Sequence, residues 1–167
     1  MISSLFLRPG DYFFGRHDGP VTTLLGSCVS IILWHPRWRL LSVSHYVLPR
    51  DPARSNGPDE DADTRYGEAV FRRLEQDMQR FGTRPGEYRK SLFGGGTLNG
   101  SPRRGMRQVG HSNSEFALRQ FQQRNWQVDH CDLEGDLYRR LSIDGHSGRI
   151  DCERKLMRLA LQQRRIS

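Results

Sequence analysis

Cys28 and His45 stand seventeen residues apart, at the two ends of an apolar stretch. A thiol and an imidazole are the minimum parts of a cysteine nucleophile. A free cysteine has a pKa of about 8.5, so only a few per cent is thiolate at neutral pH. An adjacent imidazole can take the proton, hold the thiolate as an ion pair and later return the proton to a leaving group. Gly26 lets the chain turn sharply just before Ser27 and Cys28, and backbone N–H groups at such a turn can stabilise an oxyanion. A cysteine in an apolar strand also fits a small buried hydrophobe, and chemistry alone leaves both readings open.

The segments that position the pair read as two strands. Val29-Ser30-Ile31-Ile32-Leu33-Trp34 and Leu40 to Leu48 are rich in β-branched, apolar and aromatic residues and are bounded by turn residues. His35-Pro36-Arg37-Trp38 lies between them, with proline where a type I turn accepts it. A turn centred on Pro36 and Arg37 pairs Trp34 with Arg39, Ile32 with Leu41, Ser30 with Val43 and Cys28 with His45. Directly opposed residues share a face, with Cβ atoms about 4.5–5.5 Å apart. A one-residue slip would send His45 to the other face.

Residues 1–25 read as two short strands with a turn near Gly15–Pro20. Residues 50–63 form a polar loop, a plain surface loop or a lid over His45. Val70, Leu74, Met78 and Phe81 recur at helical spacing, which predicts a helix over 64–81 closed by Gly82. Tyr88–Phe93 reads as a strand running into Gly94, Gly95 and Gly96, which serve either as a simple turn or as a lining for a substrate pocket. No Gly-Lys-Ser/Thr follows, so they do not form a phosphate loop. Residues 98–110 read as an irregular basic loop. Ser112-Asn113-Ser114-Glu115 reads as a capping box opening a second helix over 113–125. Trp126–Leu133, Tyr138–Ile143 and Arg149–Glu153 read as strands, and a basic tail occupies 155–167. Strands outnumber helices and hairpins connect them, so the class is α+β with mixed or antiparallel sheet. One domain over 1–167 accounts for the length.

Composition narrows the function. Cysteines 28, 131 and 152 are odd in number and widely spaced, which argues against a disulfide framework and for a reducing cytoplasm. No apolar run approaches the ~18–20 residues that cross a bilayer, and no signal peptide is evident. Zinc is not expected: there is no Cys-x-x-Cys, and the adjacent His130 and Cys131 point to opposite faces of a strand. The formal net charge of +7 favours acidic partners. Its arginine pairs at 103–104, 139–140 and 164–165 are not interleaved with aromatics, so a solvated basic surface is expected rather than a nucleic-acid site.

The order of these motifs resembles a known family. Leu25-Gly26-Ser27-Cys28, a strand, then Ser44-His45-Tyr46-Val47-Leu48-Pro49 resembles the chemoreceptor glutamine deamidases, the CheD family of bacterial chemotaxis. Leu7 to Tyr12, Asp63 to Gly67, Leu92 to Gly96, Val109 to Asn113, Asp132 to Arg139 and Ser147 to Arg149 follow in the family's order. Two positions depart from its pattern: Ser112 stands where an arginine is usual, and Glu134 interrupts a glycine pair.

The resemblance implies a layered α/β/β sandwich with two main helices. It implies a protein-glutamine deamidase in which Cys28 attacks the side-chain amide, His45 protonates the departing ammonia, and water hydrolyses the thioester. Thr22, six residues before the cysteine, is implied as the residue that orients His45. Gly26, Ser27 and Gly94–Gly96 would line the pocket or the oxyanion site. No cofactor or metal is implied. The implied partners are the cytoplasmic helices of chemoreceptors and, in some members, a CheC-type phosphatase. A cytoplasmic monomer is expected. The alternatives are a binding module that docks on such a phosphatase or a receptor, and a different thiol enzyme such as a protease or transglutaminase.

Overall fold

The computed structural model describes residues 3–53, 63–97 and 104–156. Most of the 50–63 loop and the tail beyond Leu156 lie outside these residues. Nine strands and two α-helices are described: β1 (Leu5–Leu7), β2 (Tyr12–Gly15), β3 (Pro20–Leu25), β4 (Val29–His35), β5 (Leu40–Ser44), α1 (Gly67–Arg80), β6 (Arg89–Gly94), α2 (Arg104–Gln123), β7 (His130–Leu133), β8 (Leu137–Asp144) and β9 (Ile150–Leu156).

The strands form two sheets. One runs β1-β3-β8-β9 and the other β2-β5-β4-β6-β7. The pairs β1·β3 and β6·β7 are parallel and the others antiparallel. Two apolar clusters define the layers. Leu7, Val21, Leu25, Leu141 and Ile143 of the first sheet meet Ile32, Trp34, Leu41, Val43 and Phe93 of the second. On the far side of the second sheet, Val29, Ile31, Leu33 and Leu92 pack on Val70, Phe71 and Leu74 of α1 and on Phe116, Ala117 and Phe121 of α2. The fold is therefore an α+β sandwich of helices, sheet and sheet, as the sequence implied. β4 is buried along its whole length because it has a layer on each face, which is why its sequence is nearly continuously apolar.

The hairpin register differs from the expected one. Ile32 pairs with Val43, Leu33 with Ser42, Trp34 with Leu41 and His35 with Leu40. Four residues, 36–39, make the turn rather than two. Proline does not fit the primed two-residue turns that suit strand twist. Arg39 takes the left-handed conformation at φ 50°, and His35 Nδ1 accepts the Trp38 N–H at 3.1 Å. The register moves by two residues, so every side chain keeps its face.

The second helix is also longer than expected. It covers Arg104–Gln123, so residues 104–110 are helical and the Ser112–Glu115 capping box lies inside the helix rather than at its start.

Candidate active site

Cys28 sits one residue before β4, on the short connection from β3. The glycine run at the end of β6 lies against this connection. Gly95 N–H donates to the Cys28 carbonyl at 2.8 Å and Gly96 N–H to the Gly26 carbonyl at 2.8 Å. Gly94 has φ +115°, and a Cβ there would stand 2.1 Å from the Cys28 carbonyl oxygen. Only glycine allows this approach of two backbones. Among the described residues, no hydrogen-bond acceptor pairs with the N–H groups of Ser27 or Cys28.

His45 sits one residue after β5, where the ladder changes partners. The Ser44 hydroxyl accepts the Ile31 N–H at 3.0 Å, in place of a backbone carbonyl. His45 N–H turns to the Asp11 carbonyl at 3.2 Å, and its own carbonyl accepts Gly10 N–H at 2.8 Å. Tyr46 then rejoins Val29 through two backbone bonds of 3.0 and 3.2 Å.

That last pair places the cysteine and histidine relative to each other. Val29 and Tyr46 are opposed and both point to the helical layer. Cys28 and His45, each one residue earlier in its own segment, both face the layer between the sheets. Cys28 packs on the inter-sheet cluster there, and the His45 ring meets Thr23 of β3. The two are diagonal rather than directly opposed neighbours, a relation of roughly 7–8 Å between backbones that a long ring can span.

The ring's tautomer follows from its partner. Thr23 Oγ1 lies 2.7 Å from His45 Nδ1. The same hydroxyl donates its proton to the Leu7 carbonyl at 2.9 Å. A hydroxyl has one proton, so toward the imidazole Thr23 acts as acceptor and Nδ1 carries hydrogen. Nε2 is left with a free lone pair, the form a general base needs.

Burial sets the resting protonation. The Cys28 thiol is pushed up to about 11 by burial. His45 is held down to about 4 by burial, partly offset by the negative charge of Asp11. Burial thus disfavours the charged form of each group, and with it the thiolate–imidazolium pair expected from the residue types.

Thr22 is corrected by the fold. In β3 it pairs with Phe6 and Ser142 and lies on the face opposite Val21, Thr23 and Leu25, which turn toward the second sheet. Thr23, fully buried, is the residue on His45. Gly26, Ser27, Gly94, Gly95 and Gly96 all gather at the cysteine connection. One further residue reaches it unforeseen. Asn113, buried inside α2, donates from Nδ2 to the carbonyls of Ser27 at 2.9 Å and Val47 at 2.8 Å. Among the described residues, no helix is long and apolar enough to cross a membrane.

Residues 47–154 match the family model CheD, described as CheD chemotactic sensory transduction. The chain is 40% identical over 112 residues to a probable chemoreceptor glutamine deamidase CheD 3 of Dechloromonas aromatica, covering 67% of this chain and 64%, just under two thirds, of that relative. It is 35% identical over 145 residues to a probable chemoreceptor glutamine deamidase CheD 2 of Albidiferax ferrireducens, covering 86% of this chain and 83% of the relative. A probable chemoreceptor glutamine deamidase CheD of Pseudomonas syringae is 32% identical over 151 residues, at 89% and 83% coverage. The family-model match begins just after His45. The two longer alignments cannot be laid on 167 residues without including both Cys28 and His45.

Proposed function

Since the chain belongs to the CheD family, we propose that it is a protein-glutamine deamidase acting on chemoreceptors, with Cys28 as nucleophile, His45 as general base and acid, and Thr23 as the residue that orients His45. The observation that carries this reading is the Thr23–His45 bond, which leaves a bare Nε2 on a buried imidazole facing the same layer as a thiol.

The protonation states decide how the reaction starts. Burial of each group favours the neutral thiol and the neutral imidazole before substrate arrives. His45 Nε2 takes the thiol proton as sulfur bonds to the glutamine amide carbon, so charge appears only when the substrate is there to use it. The amide oxygen gains the negative charge. The N–H groups of Ser27 and Cys28, which have no acceptor among the described residues, are the donors available at that turn.

His45 then gives its proton to the amide nitrogen, the C–N bond breaks, and ammonia leaves behind a thioester. A water molecule, deprotonated by the same Nε2, attacks the thioester carbon. The C–S bond breaks and the sulfur is reprotonated. The net change is one water consumed, one ammonia released and one glutamine made glutamate, with no redox step.

The substrate surface would be the cytoplasmic helices of a receptor, and the net charge of +7 suits an acidic helical partner. A CheC-type phosphatase is a second expected partner, and a cytoplasmic setting goes with both. The test is mass spectrometry of a receptor cytoplasmic fragment incubated with the protein and with Cys28→Ala. Conversion of glutamine to glutamate that requires Cys28 is expected. Full conversion by Cys28→Ala would sink the mechanism.

A further inference from the structure

Asn113 is an unusual choice for its place. It lies fully buried in the interior of α2, where asparagine is a poor helix former and a buried amide is costly unless bonded. Both protons of its NH2 group are used, one on Ser27 and one on Val47. Its Oδ1 has no partner among the described residues. Its backbone carbonyl accepts the Tyr46 hydroxyl at 2.5 Å, which fastens this turn of the helix to the strand beneath. Stability alone does not favour such a residue.

The ladder gives a reason. Val29 and Tyr46 exchange two backbone bonds. In a continued antiparallel ladder, the next such pair would be Ser27 and Leu48. It does not form. Leu48 N–H goes to the Arg65 carbonyl at 3.3 Å, and the Ser27 carbonyl is taken by Asn113 instead. The amide thus occupies the point where the strands part. One of its protons holds the segment that leads into Cys28, and the other holds the segment that leaves His45.

We propose that Asn113 is a positioning residue that fixes the separation of Cys28 and His45 through these two carbonyls without touching substrate. This rests on the assignment of Cys28 and His45 as the reacting pair.

The test uses Asn113→Asp, which keeps the shape, and Asn113→Ser. For a folded variant we expect kcat for a receptor fragment to fall about 10–100-fold with KM within about twofold, as for a misplaced catalytic pair. The Asn113→Asp variant adds a pH signature. Its carboxyl, once protonated, can donate to one of the two carbonyls, so its kcat should rise as pH is lowered from about 8 to about 5, whereas the native rate stays flat. Wild-type kcat in folded Asn113→Asp and Asn113→Ser would overturn the proposal.

If neither variant folds, Tyr46→Phe loosens the same turn of α2 and should cut kcat severalfold at constant KM; an unchanged kcat overturns the proposal. Failure of the parent assignment looks different: Cys28→Ala would retain deamidation.

Discussion

Raising the pH should unmask Cys28 far later than it unmasks an ordinary cysteine. With the thiol near 11, the thiolate fraction at pH 7 is about 10⁻⁴, against about 3% for a free cysteine near 8.5. The ratio is about 300. A more basic thiolate is intrinsically more nucleophilic, with a Brønsted slope of about 0.4–0.5, which returns roughly a factor of ten. Iodoacetamide should then label Cys28 about 30-fold more slowly than a free thiol at pH 7. The rate should climb close to tenfold per pH unit up to about pH 10. Mass spectrometry of tryptic peptides resolves Cys28 from Cys131 and Cys152. The deamidation profile should show the complement. Because His45 is neutral above about 4, kcat/KM should be level from about pH 5 to about pH 10, without the acid limb near 6.5 of an ordinary histidine. Labelling that is flat between about pH 6 and pH 9 would mean a stored thiolate–imidazolium pair, and the neutral-pair mechanism would be refuted.

Thr23→Val keeps the shape of the side chain but removes the acceptor for Nδ1–H. It should lower kcat about 10–100-fold, while Thr22→Val, on the far face of β3, should leave it within about twofold. Gly94→Ala puts a methyl group 2.1 Å from the Cys28 carbonyl at a φ of +115°. It should cost at least about 2–4 kcal/mol in urea unfolding and abolish conversion. His45 has a folded-state pKa depressed to about 4 against an ordinary 6.5, so between those values the unfolded chain binds the extra proton. Stability should fall by about 3 kcal/mol as pH drops through that window. A Cys28→Ala/His45→Gln chain should lose most of that slope in denaturant titrations.

The cysteine and histidine were legible because their types, their spacing and the apolar strands between them can be read locally. The α+β class followed from the count of strands and the hairpins that connect them, and the layered sandwich from the family resemblance. What was not legible depends on pairing or layering. Pro36 excludes the tight turn, but the four-residue loop that replaces it shows only in the pairing of His35 with Leu40.

Thr22 and Thr23 are adjacent, and in Val-Thr-Thr-Leu-Leu either parity offers an apolar partner. Only the packing of Val21 and Leu25 on the second sheet says which threonine turns inward. Asn113 satisfied a capping pattern that is real in composition, yet the helix runs from Arg104. An interior position with its amide on two remote carbonyls leaves no local signature.

The first sheet has a consequence for when the protein becomes competent during its synthesis. Thr23 reaches His45 from β3, whose neighbours are β1, a three-residue strand, and β8, more than a hundred residues further on. Until β8 emerges, β3 has only a short parallel pairing with β1, too little sheet to stand by itself. Loop closure over that distance comes late in folding. On the ribosome, the hairpin that bears Cys28 and His45 is complete long before the sheet that sets the imidazole's tautomer. The nascent chain therefore carries His45 without its Thr23 partner fixed, and that contact becomes secure only once β8 has been made.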